Sequence, residues 1–341
     1  MAIRKSMLCA ALAGGLAIGA AACSSGSSSP SSTGTTAASA SSTSSASSSG
    51  QKFTVAFVPG NSTDPFFLSM EAAGQAEATK LGMGFTVQAS ATYSPETQQP
   101  ILAAILARHP SALIVAPTDP DALNGTLSQY HAAGIPIITV DTTISNTSLL
   151  TSRITSDNAQ GGAAAADSCA AAMKGVGSAA VIYTTPGTTT TNARGQAFIA
   201  EMKAKHPNVT VYTEFDNNAE STATTQVSAL ILAHSNLGCV FGTNDYAAEG
   251  AATAVDTAHA QSRVDIAGYD AEPQLVQLLQ NKTISIIIAQ KPALELTMAV
   301  EYAYDALTGK TSDIQSFVQL PNVTMTSANI SEPAISEWIY K

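Results

Sequence analysis

Short apolar runs rich in β-branched and aromatic residues recur along most of this chain, at 53–58, 85–89, 112–116, 136–140, 179–183, 209–213, 238–242, 264–268 and 284–289. Stretches of helical periodicity separate them. Runs this continuous predict strands buried on both faces, and their alternation with helices predicts parallel sheets covered on either side. The fold class is therefore α/β. The residues at the end of each run are equally informative. The first run leads to Asp64-Pro65-Phe66-Phe67, and the run ending at Val140 delivers Asp141. The run ending at Gly268 delivers Tyr269-Asp270, and the last delivers Gln290. In open α/β sheets a ligand lies in the crevice beyond the carboxyl ends of the strands. Hydrogen-bonding and aromatic side chains placed repeatedly at those ends predict a binding crevice.

Pro65, suited to a first turn, and Gly82, suited to a C-terminal cap, predict a helix over 65–81. Another over 121–133 stops at Gly134. Pro100 falls within 95–108, where a proline removes a backbone donor and crowds the preceding turn. That helix is expected to start at Pro100 or to kink there. The apolar runs form two successive series, each the size of one domain, joined by 153–162. Beyond Gln290 come a helical stretch at 292–307 and a β-like stretch at 317–325. Residues 51–341 exceed one modest core, so two similar lobes are expected rather than one large sheet.

Arg4 and Lys5 precede an apolar stretch at 7–22, too short to span a bilayer and typical of a secretory signal. Ala20-Ala21-Ala22 then lead into Cys23 and a Ser/Gly/Thr tract. This arrangement resembles a bacterial lipoprotein signal, with Ala20 where leucine is usual. We expect a signal over 1–22, acylation of Cys23, and a structureless tether over 23–50 reaching roughly 30 Å. An ordinary signal cleaved after Ala22 is the alternative. With Cys23 acylated, membrane attachment would be through the lipid alone. The formal net charge is −10, and no Lys/Arg cluster offers a footprint for nucleic acid or anionic lipid. With Cys9 in the signal and Cys23 at its end, Cys169 and Cys239 remain. They form either a disulfide or two isolated buried thiols, and the sequence leaves both open.

Catalytic signatures are lacking. The histidines at 109, 131, 206, 234 and 259 show no metal spacing. There is no Gly-x-Ser-x-Gly elbow, no phosphate loop, and no Gly-x-Gly-x-x-Gly after a strand. Neither an enzyme nor a cofactor or metal is expected.

Several motifs, met in order at compatible spacings, carry a family resemblance. They are Asp64-Pro65-Phe66-Phe67, Pro117-Thr118-Asp119, Gly134-Ile135-Pro136-Ile137, and Ser156-Asp157-Asn158 with Gly161-Gly162. Ala193-Arg194-Gly195, Glu214-Phe215-Asp216, Thr243-Asn244-Asp245, Gly268-Tyr269-Asp270 and Ala289-Gln290 complete the series. Together they resemble the ribose/galactose-type periplasmic binding proteins, the sugar-receptor branch of the type I solute-binding fold, over about 53–326. The resemblance implies two Rossmann-like lobes joined by three hinge strands, near Ser156-Asp157, near Gln290-Lys291 and near 320–322. The N-terminal lobe would be 51–156 plus 291–321, and the C-terminal lobe 157–290 plus 322–341. It also implies a monomeric receptor outside the cytoplasmic membrane that captures a sugar or polyol by hinge closure and delivers it to an ABC permease. A sensory receptor of the same fold for a sugar or furanose signal is the alternative, and a carbohydrate-processing enzyme a more distant one.

Carried over position by position, Phe66 and Phe67 would line one wall of the cleft, and Phe215 would face them from the second lobe. The C–H face of a sugar packs well on aromatic rings. Asp141 and Asp270 would accept hydrogen bonds from hydroxyls, and Arg194 would donate through its fork. Asn244 and Gln290 both donate and accept. Two departures bear on specificity. Thr142 stands where ribose receptors carry Arg, and Asp64 where they commonly carry Asn. One cation fewer and one anion more would disfavour sugar acids and phosphates, leaving a neutral monosaccharide or polyol. Plainer roles exist for some of these residues. Asp64 suits a helix N-cap as well as a ligand contact, and Asp245 is expected to be a cap only. Arg194, on a helix expected from about Asn192, would without the resemblance read as a solvated residue. Phe66 and Phe67 would both be core, except that neighbours on a helix do not both face inward, so at least one should meet the cleft.

Overall fold

A computed structural model describes residues 53–341. The expected signal, Cys23 and the tether lie outside the described residues. One sheet holds β1 (Thr54–Val58), β2 (Gly84–Val87), β3 (Ala112–Val115), β4 (Ile137–Val140), β5 (Ser152–Ser156) and β11 (Phe317–Leu320), in the order β2-β1-β3-β4-β5-β11 and parallel throughout. The other holds β6 (Gly177–Tyr183), β7 (Val209–Phe215), β8 (Leu237–Gly242), β9 (Asp265–Tyr269), β10 (Ile286–Ala289) and β12 (Val323–Met325). Its order is β7-β6-β8-β9-β10-β12, with β12 alone antiparallel. The two orders correspond strand for strand, so the sheets are one plan used twice.

The helices are α1 (Pro65–Lys80), α2 (Pro95–Leu106), α3 (Asn124–Ala132), α4 (Asn158–Met173), α5 (Thr189–Lys205), α6 (Glu220–Ala233), α7 (Asp245–Thr257), α8 (Pro273–Gln280), α9 (Pro292–Thr308) and α10 (Pro333–Ser336). Central strands such as β3 and β4 are buried at every position, as strands covered on both faces must be. The chain passes between the sheets three times: from β5 into α4, from β10 into α9, and from β11 into β12. After the second passage α9 packs against α1 and beneath β3, β4 and β5. The second sheet's sequence therefore leads into a helix that completes the first.

Two sequence expectations need correction. Helix α2 begins at Pro95 and runs on through Pro100, which sits inside it. Helix α3 starts at Asn124, because the Asp119 carboxylate accepts from the amides of Asp121 and Ala122 (2.8 and 2.7 Å) and holds those residues in a turn. The segment that joins the two series holds the end of β5 in its first half and the start of α4 in its second.

Helices α4 and α5 approach unusually closely. A Cβ on Gly162 would lie 2.0 Å from the Arg194 carbonyl oxygen, and one on Gly161 would lie 2.2 Å from the Tyr269 hydroxyl. Only glycine permits this packing, and it sets Arg194 deep in the second lobe. Cys169 on α4 and Cys239 on β8 are joined in a disulfide, with Cα atoms 5.5 Å apart and a separation of 70 positions in sequence. The bridge pins α4 to the sheet within the second lobe's core. Closing a loop of that length restricts the unfolded chain. A Cys169→Ala/Cys239→Ala variant is expected to lose about 2–4 kcal/mol of stability in urea titration; an unchanged midpoint would show that the bridge carries none.

Candidate functional site

Strands β4 and β9 hold corresponding places in their sheets, and each is followed by an aspartate in left-handed backbone: Asp141 at φ 58° and Asp270 at φ 80°. Non-glycine residues adopt this region at a cost that recurs at functional positions. The ladders continue through both. The Asp141 amide donates to the Ile154 carbonyl on β5 at 3.0 Å, and the Asp270 amide to the Ile288 carbonyl on β10 at 2.9 Å. The backbone thus stays paired while both carboxylates line a common cleft at the strand ends. Glu295 on α9, fully buried, accepts from the Asp141 amide (3.0 Å) and from the Ser156 hydroxyl (2.9 Å). The returning helix therefore helps fix the first aspartate.

Arg194 is only 2% exposed. Its Nε donates to Asn158 Oδ1 and its Nη1 to the Thr243 carbonyl, both at 2.8 Å. The guanidinium lies 3.8 Å from the centre of the Tyr269 ring, a cation–π contact strengthened by burial. Its Nη2 is 3.7 Å from Asp141 Oδ1 across the cleft, yet has no hydrogen-bond partner. Helix α5 starts at Thr189, a turn earlier than the sequence suggested, so Arg194 projects from the helix interior.

The first-lobe rim is built on a cap. Asp64 Oδ1 accepts from the Phe66 amide at 2.8 Å, which fixes the start of α1 and faces Phe66 and Phe67 together into the cleft. Cap and cleft residue are thus the same side chain. Gln98, buried in α2, ties this rim together: its Nε2 donates to the Pro59 and Ala116 carbonyls, and its Oε1 accepts from the Thr118 amide and hydroxyl.

Of the residues expected at the site, Asp64, Phe66, Phe67, Asp141, Arg194, Asn244, Asp270 and Gln290 line one cleft. Thr142 instead lines an adjoining cavity of about 150 Å³, which shares Asp141 and Thr190 with the cleft. Phe215 is a correction. It ends the edge strand β7, is 36% exposed, stacks on Tyr183 at 5.1 Å and is no part of the cleft lining. Asp245 is another. Asn244 is the α7 cap, accepting from the Ala247 amide, while Asp245 is buried in the cleft wall. Sequence reading missed Tyr93, Asn218 and the threonines at 184, 188, 190 and 191. The run Thr188-Thr189-Thr190-Thr191 ahead of Arg194 was the one available signal. Asn218 accepts from Asn244 Nδ2 at 2.8 Å.

Gln290 Nε2 donates to Asp270 Oδ1 at 2.7 Å, and its Oε1 is buried without a partner. Four carboxyls, Asp64, Asp141, Asp245 and Asp270, face one guanidinium. Burial, reinforced by Asp270 and Asp141, pushes Asp64 up to about 8. Burial likewise pushes Asp141 up to about 7, with Arg194 holding it down and Asp270 adding to the rise. Asp245 and Asp270 are also raised, chiefly by burial. The enclosed space is about 40 Å³, room for a few waters.

Two doubly wound lobes of corresponding strand order, crossed three times by the chain and facing each other over a polar cleft, define a type I periplasmic-binding fold. The chain belongs to the periplasmic binding protein family, an extracytoplasmic one: the profile of the periplasmic binding protein domain matches residues 55–311. It is similar to the ribose import binding protein of Escherichia coli K12, at 30% identity over 76% of this chain and 86% of that protein. The ribose import binding protein of Bacillus subtilis 168 is 28% identical over 80% of this chain and 88% of its own length. A solved ABC transporter solute-binding protein from Agrobacterium vitis, bound with α-D-tagatopyranose, superposes with a TM-score of 0.82. It is 35% identical, over 85% of this chain and all of that one.

Each raised carboxyl binds its proton more tightly folded than unfolded, so folding takes up protons between the ordinary carboxylate value and about 7–8. Stability of the ligand-free protein is expected to fall as pH rises through that window. Asp64→Asn keeps an oxygen for the Phe66 amide and removes the charge. Denaturant titrations from pH 5 to 8 should show a shallower slope in this variant and a gain of roughly 1–3 kcal/mol at pH 8. An unaltered slope would show that Asp64 holds no extra proton.

Proposed function

We propose that this chain captures a neutral monosaccharide or polyol in the interlobe cleft by hinge closure and hands it to an ABC importer. One observation carries this reading. Arg194 Nη2 and Gln290 Oε1 are both buried in the cleft without partners, one a donor and the other an acceptor. Leaving such groups unpaired costs about 1–3 kcal/mol each, and a hydroxyl can serve either one. Phe66, Phe67 and Tyr93 supply an aromatic wall for a C–H face, and the threonines, Asn218 and Asn244 supply short polar groups opposite. The likeness to ribose import binding proteins and to a tagatose-bound receptor agrees with this choice of ligand. The carboxyl-rich lining opposes sugar acids and phosphates by like-charge repulsion.

The lobes proposed are 51–156 plus 291–321, and 157–290 plus 322–341, with the three passages between the sheets as hinges. A cleft of about 40 Å³ is far below the ~300 Å³ at which small-molecule pockets begin, so entry requires the lobes to part. Ligand then shifts an open–closed equilibrium by contacting both lobes. The protein is proposed to act as a monomer tethered by a lipid on Cys23, without catalysis.

Calorimetric titration with D-ribose, D-tagatose, D-arabinose, myo-inositol and D-galacturonate tests the proposal. A neutral member should bind at micromolar Kd or tighter, about −8 kcal/mol, unchanged on recovery, and galacturonate should not compete. Asp141→Ala should weaken that binding by about 2–3 kcal/mol. Tight galacturonate binding with no neutral ligand would overturn the ligand class, wild-type affinity in the variant would remove Asp141 from the site, and turnover would make the protein an enzyme.

A further inference from the structure

The last residues of the chain return to the passage between β10 and α9. The Lys291 ammonium lies 4.4 Å from the centre of the Trp338 ring. Two residues on, Tyr340 is almost fully buried, and its amide donates to the Ala271 carbonyl at 3.0 Å. Its hydroxyl donates to Asp270 Oδ1 at 2.8 Å and accepts from the Gln290 amide at 3.3 Å. Its ring meets that of Phe66 edge-on, with centroids 6.0 Å apart. One side chain therefore touches the second lobe's carboxylate, the hinge, and the first lobe's aromatic wall.

We infer that Tyr340 is a positioning residue for ligand binding, which fixes the Asp270 carboxylate and couples it to the Phe66 wall and the hinge. The inference rests on the reading of Asp270 as a ligand acceptor. Asp270 stands on left-handed backbone at φ 80°, so its ladder does not by itself settle the side chain. Two donors do, Gln290 Nε2 at 2.7 Å and the Tyr340 hydroxyl at 2.8 Å. Both fall on Oδ1, so neither uses Oδ2. A carboxylate held by two donors on one oxygen presents the other in a fixed direction, and a site is effective only when its groups are held within about 0.5 Å of productive geometry. With one donor gone, ligand binding would have to order that carboxylate. The tail thus holds the second lobe's aspartate by its carboxylate, where Glu295 holds the first lobe's by its backbone amide.

Tyr340→Phe removes the hydroxyl and keeps the ring, its contact with Phe66 and the tail amide. Kd is measured from pH 5 to 8 for whichever of D-ribose, D-tagatose, D-arabinose and myo-inositol the wild type binds most tightly. Several ionisable groups face Asp270: Asp64 ahead of α1, Asp141 after β4, Arg194 on α5, Asp245 on α7 and Glu272 ahead of α8. All are retained in the variant. The Tyr340 hydroxyl holds Asp270 down against burial, so its removal should carry the acid-side loss of affinity to higher pH. Binding at pH 7 should weaken roughly tenfold. Trp338→Leu disturbs the same tail without touching the carboxylate and should leave the acid limb in place. An unmoved limb and wild-type Kd in Tyr340→Phe, or the same shift in Trp338→Leu, would overturn the role of the hydroxyl. Wild-type affinity in Asp270→Asn, or no binding of the four probes by the wild type, would instead overturn the reading of the cleft and the role with it.

Discussion

Arg194 carries its charge into a cleft wall where four carboxyls already crowd, and burying a guanidinium costs several kcal/mol unless its donors are satisfied. Compensation comes from three separate elements of the second lobe. Asn158 opens α4, Thr243 follows β8, and the Tyr269 face ends β9. Gly162 lets α4 and α5 approach closely enough to set the side chain among them. The remaining donor points toward Asp141 of the other sheet. An electrostatic contact thus spans the cleft, incomplete without a further partner. On the proposed hinge motion, parting the lobes would hydrate both ends of it, and a ligand that completes it would favour the closed state.

The duplication of the sheets explains why the two aspartates match and why their supports differ. Identical ladder positions deliver Asp141 and Asp270 with the same left-handed turn. Asp141 is then braced by Glu295 and, through it, by Ser156 at the first passage between sheets. Asp270 is braced by Gln290 at the second passage and by Tyr340 beyond the third. Each aspartate is therefore held by residues beside the passages between the sheets, Asp141 through its backbone amide and Asp270 through its carboxylate.

Much of this is legible in the sequence. Fully buried strands such as β3 and β4 announce a parallel sheet, and the aspartates that follow β4 and β9 mark the cleft. The features that stayed hidden did so for physical reasons. Strand β5 reads Ser-Arg-Ile-Thr-Ser, too polar to stand out, because it lies near the edge and gains its pairing from β11, far away in sequence. Phe215 looked like a second aromatic wall, but β7 is an edge strand and its last side chain packs outward on Tyr183. At Thr243-Asn244-Asp245 the cap fell one residue earlier than expected, which turned Asp245 inward. Tyr93, Asn218 and Tyr340 reach their places through loops and a tail, where no periodicity records direction.

The most direct test of the central claim is a crystal structure of the protein grown with the neutral sugar it binds most tightly. The account predicts a ring lying against Phe66 and Phe67, with hydroxyls within hydrogen-bond distance of Asp141, Asp270 and Arg194 Nη2. A sugar bound elsewhere, with those three groups still engaged only by protein, would contradict it.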